Sequence, residues 1–168
     1  DIQTYAGQGK NIEHMGLDKY PRYVLVKGDI CDEDLVQRVF QEYHPDLVFH
    51  FAAESHVDNS LKDNSPFIRT NVLGTQILAE ESLKQRTPGF VHISTDEVYG
   101  SIDKGSFVET SPLNPSNPYA ETKARAEGVI MDYMARSLPA VITRSANNYG
   151  PYQFPEKLLP LFITNLIN

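Results

Sequence analysis

Apolar runs alternate along this chain with segments whose apolar positions recur at helical spacing. Arg22 to Gly28 (RYVLVKG) predicts a strand. Asp32 to Glu42 carries Leu35, Val36, Val39 and Phe40 on one helical face, with Asp32 in place to cap it. A second apolar run follows Pro45, from Asp46 to Ala53. Ser65 and Pro66 have the chemistry of a cap and a first-turn proline for a long helix reaching Gln85. Pro88-Gly89 breaks that helix before the apolar run from Phe90 to Ile93. The segment from Glu109 to Pro118 holds three prolines and predicts a loop. A helix from Pro118 to Ser137, a strand from Ala140 to Arg144 and an amphipathic helix from Pro155 to Asn168 complete the series.

Strands alternating with helices imply a parallel sheet with crossover helices. The near-continuous apolar strands Leu47-Val48-Phe49 and Val141-Ile142 imply burial on both faces. The expected fold is therefore α/β, a doubly wound parallel sheet. The glycine-rich turn that opens such a domain has no counterpart at the expected spacing. Gly7-Gln8-Gly9 has no strand before it and no apolar helix after it, and is taken as a loop. The chain reads as one that starts a βα unit late.

Composition narrows the function. The 168 residues carry 15 Lys and Arg against 22 Asp and Glu, a net charge of −7, which argues against a nucleic-acid partner. No apolar run approaches a membrane span, and no signal peptide is visible at Asp1. Cys31 is the single cysteine, which excludes an internal disulfide and fits a reducing, cytoplasmic setting. His50, His56 and His92 lack the spacing of a metal site, so no metal is expected.

Two stretches carry candidate chemistry. The run His92 to Gly100 starts as a buried strand and ends in Thr95, Asp96 and Glu97, at the carboxyl end where ligands sit in open parallel sheets. Tyr119 and Lys123 lie at i and i+4 on one helix face, behind Asn117 as cap and Pro118 in the first turn. A free tyrosine titrates near pH 10, and a neighbouring ammonium favours its phenolate, so this pair can take a proton from a hydroxyl.

The order of these motifs resembles the extended short-chain dehydrogenase/reductase superfamily and, within it, the dTDP-glucose 4,6-dehydratases. The matching stretches include Thr4-Tyr5-Ala6-Gly7, Gly28-Asp29-Ile30, His50 to Asp58 and Thr70-Asn71-Val72. They continue with Ser94 to Gly100, Tyr119 with Lys123, and Arg144 to Leu158. Within the helix, Ala120-Glu121-Thr122 departs from the small Ser and Ala residues common in the family. The resemblance implies a Rossmann-like NAD-binding domain lacking its first βα unit over residues 1–168. It also implies the start of a substrate-binding portion near 150–168, within a longer, homodimeric protein.

The implied reaction has three stages: NAD-mediated oxidation at the glucose C4, elimination of water across C5–C6, and hydride return to C6. Tyr119 would take the 4-hydroxyl proton, with Lys123 holding the phenolate and a cofactor ribose. Thr95 would bond the C4 oxygen, Glu97 would take the C5 proton, and Asp96 would protonate the departing 6-hydroxyl. Elimination needs one ionised and one protonated carboxyl, roles that different environments can assign. The implied cofactor contacts are Asp1, Thr4, Asp29, Ile30, Phe51, Ala52, Ala53, Glu54, Ser55, Thr70 and Asn148, with Tyr119 and Lys123. Ser55, Thr95, Asn147, Lys157 and Leu158 would meet the nucleotide-sugar. Two alternatives stay open: an epimerase or decarboxylase of the same superfamily, which has no elimination step to use the Asp96-Glu97 pair, and a dinucleotide-binding protein without turnover.

Overall fold

The computed structural model describes residues 1–7 and 9–167, and they divide into two compact units: 29–146, and 1–28 with 147–167. The larger unit holds a parallel sheet of three strands: β1 (Leu47–His50), β2 (Gly89–Thr95) and β3 (Ala140–Ser145), in that spatial order. Register sets Phe49 beside Val91 and Val91 beside Val141, and likewise His50 beside His92 and His92 beside Ile142.

Three helices cover one face of this sheet. Helix α2 (Glu33–Tyr43) starts as expected, with the Asp32 carboxylate accepting the Leu35 N–H at 3.0 Å. Its Val36 and Phe40 meet Ile77 of α5 (Thr75–Lys84) over Val48. Helix α6 (Pro118–Ala135) begins at its Asn117 cap, whose side chain accepts the Ala120 N–H at 2.8 Å. Its Ile130 and Tyr133 close a second cluster with Ala79, Phe90 and Leu138. Burying a side chain the size of Phe90 is worth about 2–3 kcal/mol.

The helix expected from Ser65 to Gln85 is helical throughout but not uniform. A short α4 (Ser65–Phe67) passes into a π-helical stretch, Ile68–Gly74, and then into α5. The cap shifts by one residue: Asn64 holds the position, Ser65 and Pro66 fill the first turn, and the Asp63 carboxylate takes the Ser65 N–H at 2.9 Å. A further short helix, α3 (Val57–Lys62), precedes α4.

Two expectations are corrected. Leu47 (48 % exposed), Phe49 (57 %) and Val141 (59 %) stay open, while His50, Phe90 and His92 on the opposite face are buried. An apolar run guarantees burial only where both faces have a layer, and side chains alternate along a strand; here α2, α5 and α6 supply one layer. Arg22 to Gly28 does not form a strand. Its cross-chain backbone bonds are to Asp1, from the Asp1 amino group to Val26 O and from Gly28 N–H to Asp1 O, too short a ladder for a strand.

The smaller unit adds α1 (Lys10–His14), a 3₁₀ turn at Leu17–Lys19, and α7 (Leu158–Ile167). Gly7 lies in a loop and Gly9 is the cap of α1; Gln8, between them, and Asn168, expected to end the last helix, lie outside the described residues. Tyr5 donates to the Glu156 carboxylate at 3.1 Å and meets the Phe154 ring edge-on at 5.5 Å.

Candidate active site

The site forms where β2 ends. At Thr95 the strand passes directly into a 3₁₀ turn, Asp96–Tyr99. The Thr95 hydroxyl caps that turn by accepting the Glu97 N–H at 3.2 Å. Gly100 ends it at φ +80°, and a Cβ there would stand 2.3 Å from Asn114 O, so only glycine fits. Val98 O accepts the Asn114 N–H at 3.0 Å, which holds the following loop against the turn.

The two acids leave the turn into different surroundings. Asp96 is exposed; Glu97 is half-buried and accepts a hydrogen bond from Asn117 Nδ2 at 2.9 Å. Asn117 therefore does two things: its oxygen caps α6 and its nitrogen orients Glu97. The capping role is legible in the sequence, and the second is not.

Helix α6 delivers Tyr119 and Lys123 to the same place. Tyr119 stands near the Thr95 side chain. Lys123 is buried, and its ammonium donates to Ile93 O on β2 at 2.7 Å. The expected lowering of the Tyr119 phenol is not what the protein alone produces. Burial, then the charges of Glu97 and Asp96, push it up to about 12 against the opposing effect of the Thr95 side chain. Burial in turn pushes Lys123 down to about 8, against the pull of Glu127. With its nearest protein acceptor on the strand backbone, the Lys123 charge is directed at Ile93 O.

Asn71, given no role from the sequence, is the buried polar link between the elements around this site. It sits in the π-helical stretch, 1 % exposed, and holds the Glu54 backbone at both ends: Glu54 N–H donates to its Oδ1 at 2.8 Å and its Nδ2 donates to Glu54 O at 3.0 Å. The same Nδ2 donates to Thr122 Oγ1 at 3.0 Å, and the Thr122 hydroxyl donates to Tyr119 O at 2.8 Å. Thr122, where the helix departs from the family's small residues, thus joins the loop after β1 to the first turn of α6. The irregular helix was the available signal, since π-helical turns gather at functional sites.

Ala52, Ala53, Glu54 and Ser55 follow β1, with Phe51 exposed and stacked on Phe49 at 6.2 Å. Asp29 pairs with Arg69 at 2.5 Å and accepts the Cys31 N–H at 2.9 Å, which together hold its carboxyl below the usual range despite burial. Ile30 packs on Gly74, and Thr70 is half-buried in the π-helical stretch. The other unit holds the rest. Asp1 is exposed and its carboxylate accepts the Gln3 N–H; Thr4 O accepts the Gly7 N–H at 2.8 Å. Asn147 and Asn148 are exposed, and Asn148 O accepts from Gln153 Nε2 at 3.1 Å. Lys157 is half-buried, and Leu158 opens α7 from an exposed position. Among the described residues no three His, Cys, Asp or Glu side chains converge on a point that could hold a metal, and no helix is long and apolar enough to cross a membrane.

Parallel strands, Thr95, Asp96 and Glu97 at the carboxyl end of β2 and a Tyr-x-x-x-Lys helix define a Rossmann-like α/β domain of the short-chain dehydrogenase/reductase type. The chain belongs to the family described as GDP-mannose 4,6 dehydratase, whose model matches residues 2–168. It is 46 % identical over 169 residues to a dTDP-glucose 4,6-dehydratase of an Actinoplanes strain, covering all of this chain and 52 % of that protein. Its backbone matches the crystal structure of the Streptomyces venezuelae dTDP-glucose 4,6-dehydratase with NAD bound, at TM-score 0.94 and 49 % identity, covering 99 % of this chain and 51 % of that one. A Bacillus anthracis dTDP-glucose 4,6-dehydratase in complex with NAD matches at TM-score 0.89 and 41 % identity, again over 99 % and 51 %. The chain spans about half the length of the relatives it matches.

Proposed function

We propose that this chain is the NAD-binding and catalytic part of a dTDP-glucose 4,6-dehydratase, a hydro-lyase that makes the 4-keto-6-deoxy sugar nucleotide. The observation that carries the proposal is the end of β2, where Thr95, an exposed Asp96 and a half-buried, Asn117-held Glu97 stand with Tyr119 and Lys123. An enzyme that only inverts C4 has no use for a second acid and base beside the Tyr–Lys pair.

The residues present fit NAD. The Lys123 ammonium has three donors, and Ile93 O accepts one, so a buried cation still has hydrogens to offer a ribose hydroxyl. Small Ala52 and Ala53 at the carboxyl end of β1 let a ligand approach the backbone there. When bound, NAD supplies the hydride acceptor at C4 and the donor at C6. Asp1, Thr4, Asp29, Ile30, Phe51 to Ser55, Thr70 and Asn148 would line its site. Ser55, Thr95, Asn147, Lys157 and Leu158 would meet the nucleotide-sugar.

Tyr119 takes the 4-hydroxyl proton. A phenol at about 12 serves as a base near neutrality only when positive charge is brought beside it, and Lys123, one turn away, carries that charge. Thr95 bonds the C4 oxygen. Once C4 is a ketone, the C5 proton is acidic; Glu97 removes it, and Asp96 gives a proton to the departing 6-hydroxyl. Asn117 holds Glu97 through its Oε2.

Residues 1–168 would form a partial NAD-binding domain, with the substrate-binding portion starting near 150–168. A homodimer in the cytoplasm completes the proposal. The free Cys31 supports the reducing setting, and exposed Leu61, Ile68 and Leu73 on the helical side support self-association. The test is to incubate dTDP-glucose and NAD with a protein carrying this chain at the full length of its relatives. Mass spectrometry should find a product lighter by one water. A product of unchanged mass would identify an epimerase, and no product at all would identify a binding protein.

A further inference from the structure

Helix α6 presents three polar side chains on one stripe, Tyr119, Lys123 and Glu127, each one turn beyond the last. The third has no role in the chemistry above, yet it is fully buried. Its carboxylate accepts from Ser94 Oγ at 2.5 Å and from the Arg144 guanidinium at 2.6 Å through Nη2 and 3.0 Å through Nε. Arg144 continues outward. Its Nη1 donates to Tyr99 Oη at 2.6 Å and to Glu109 O at 3.0 Å, and the guanidinium lies 4.8 Å from the Tyr99 ring centroid. Tyr99 in turn stacks on Phe107 at 4.8 Å. One carboxylate therefore joins α6 to the last residues of β2, to β3 and to the turn that carries Asp96 and Glu97.

We infer that Glu127 is a positioning residue for the reaction proposed above, setting the rotation of α6 and with it the place of Tyr119 and Lys123 at the end of β2. A buried ion pair is weak support for stability, because desolvation offsets the attraction; its geometry, with β2, β3 and α6 joined at one carboxylate a turn beyond Lys123, is what points to positioning. Burial alone favours neutral Lys123, and Glu127 is the group that opposes it. The charged and titratable groups on the surrounding elements are few. Tyr119 shares the helix, Asp96 and Glu97 come from the turn, His50 and His92 from β1 and β2, and Arg144 from β3. Glu80 of α5 pairs with Arg136 at the far end of α6, Arg69 is held by Asp29, and Asp58 and Lys62 of α3 are exposed. Among the carboxylates, Glu127 is the one on the Lys123 stripe.

The test measures Lys123 directly, by the ¹³Cε chemical shift of labelled lysine titrated in the full-length protein, with Lys123→Ala for assignment. Glu127→Gln should lower the Lys123 titration by roughly half to one pH unit, and Glu127→Asp should leave it near the wild-type value. The alkaline limb of the hydride-transfer rate should move down by the same amount. Should Glu127→Gln not fold, Glu127→Gln with Arg144→Met removes both charges and leaves neither unpaired; it should show a smaller fall in the same direction, since a positive charge goes with the negative one. An unchanged Lys123 titration in the variant that folds would overturn the inference, even if turnover dropped. Because the titration needs no substrate, it stands whether or not the protein proves to be a dehydratase.

Discussion

Lowering the pH from 7 to 5 should cost this fold more stability than its net acidity suggests, and the reason is two buried histidines. His50 and His92 are neighbours on β1 and β2, with ring centroids 5.3 Å apart and both side chains nearly or wholly inaccessible. The Thr75 hydroxyl donates its hydrogen to Asn71 O at 2.6 Å, so His50 Nε2, 2.8 Å from Thr75 Oγ1, must donate to Thr75 Oγ1. His50 Nδ1 and both nitrogens of His92 have no hydrogen-bond partner. Burial, with Lys123 adding repulsion, pushes His50 down to about 3; burial, Lys123 and then His50 push His92 down to about 2. The unfolded chain takes up protons at these side chains below about pH 6.5, whereas the folded chain does not until far lower. Stability is therefore intact above about 6.5 and falls as the pH drops towards the folded values. Over the interval from 7 to 5 the linkage comes to about 2 kcal/mol for each histidine, or about 4 kcal/mol together, a large part of the stability of a typical domain. Urea unfolding followed by far-ultraviolet circular dichroism at pH 7, 6 and 5 would measure it, and His92→Leu should remove about half of the slope. Equal unfolding free energies at pH 7 and 5, within about 1 kcal/mol, would mean that the imidazoles are not held neutral in the fold.

Other expectations concern single side chains. Tyr119→Phe keeps the ring and removes the proton acceptor, so single-turnover hydride transfer in the full-length protein should slow by about 10²–10⁴-fold; unchanged transfer would assign the proton to another group. Gly100→Ala should cost about 1–3 kcal/mol in thermal unfolding, because it adds a Cβ at a positive φ directly against Asn114 O. Phe90→Ala, emptying the centre of the larger cluster, should cost about 3–5 kcal/mol by the same measurement.

Helix starts were the most legible part of the fold. Asp32 and Asn117 cap where their chemistry says they should, since a cap is decided by a few neighbouring residues. The strands at Leu47, Gly89 and Ala140 were legible as apolar runs, but their burial was not, because exposure at Phe49 and Val141 depends on which layers lie across the sheet. Arg22 to Gly28 looks like a strand in isolation and lacks the ladder that makes one. At the candidate site, Thr95, Asp96, Glu97, Tyr119 and Lys123 could be proposed from the chain because they sit in two short runs. Asn71, Ser94, Glu127 and Arg144 could not, because their roles depend on contacts between elements 17 to 51 residues apart. The direction of the Tyr119 shift was also out of reach, since helical spacing places Lys123 near the phenol but not its ammonium against Ile93 O.

The central claim is that the end of β2 holds an acid and a base for elimination, distinct from the Tyr–Lys pair that serves oxidation. Asp96→Asn separates the two, because the proposed mechanism has Asp96 act only at the 6-hydroxyl. The measurement is rapid-quench mass spectrometry of a single turnover of dTDP-glucose by the full-length variant. The account predicts that a 4-keto sugar still bearing its 6-hydroxyl forms at close to the normal rate and then accumulates. Equal slowing of oxidation and elimination would contradict it.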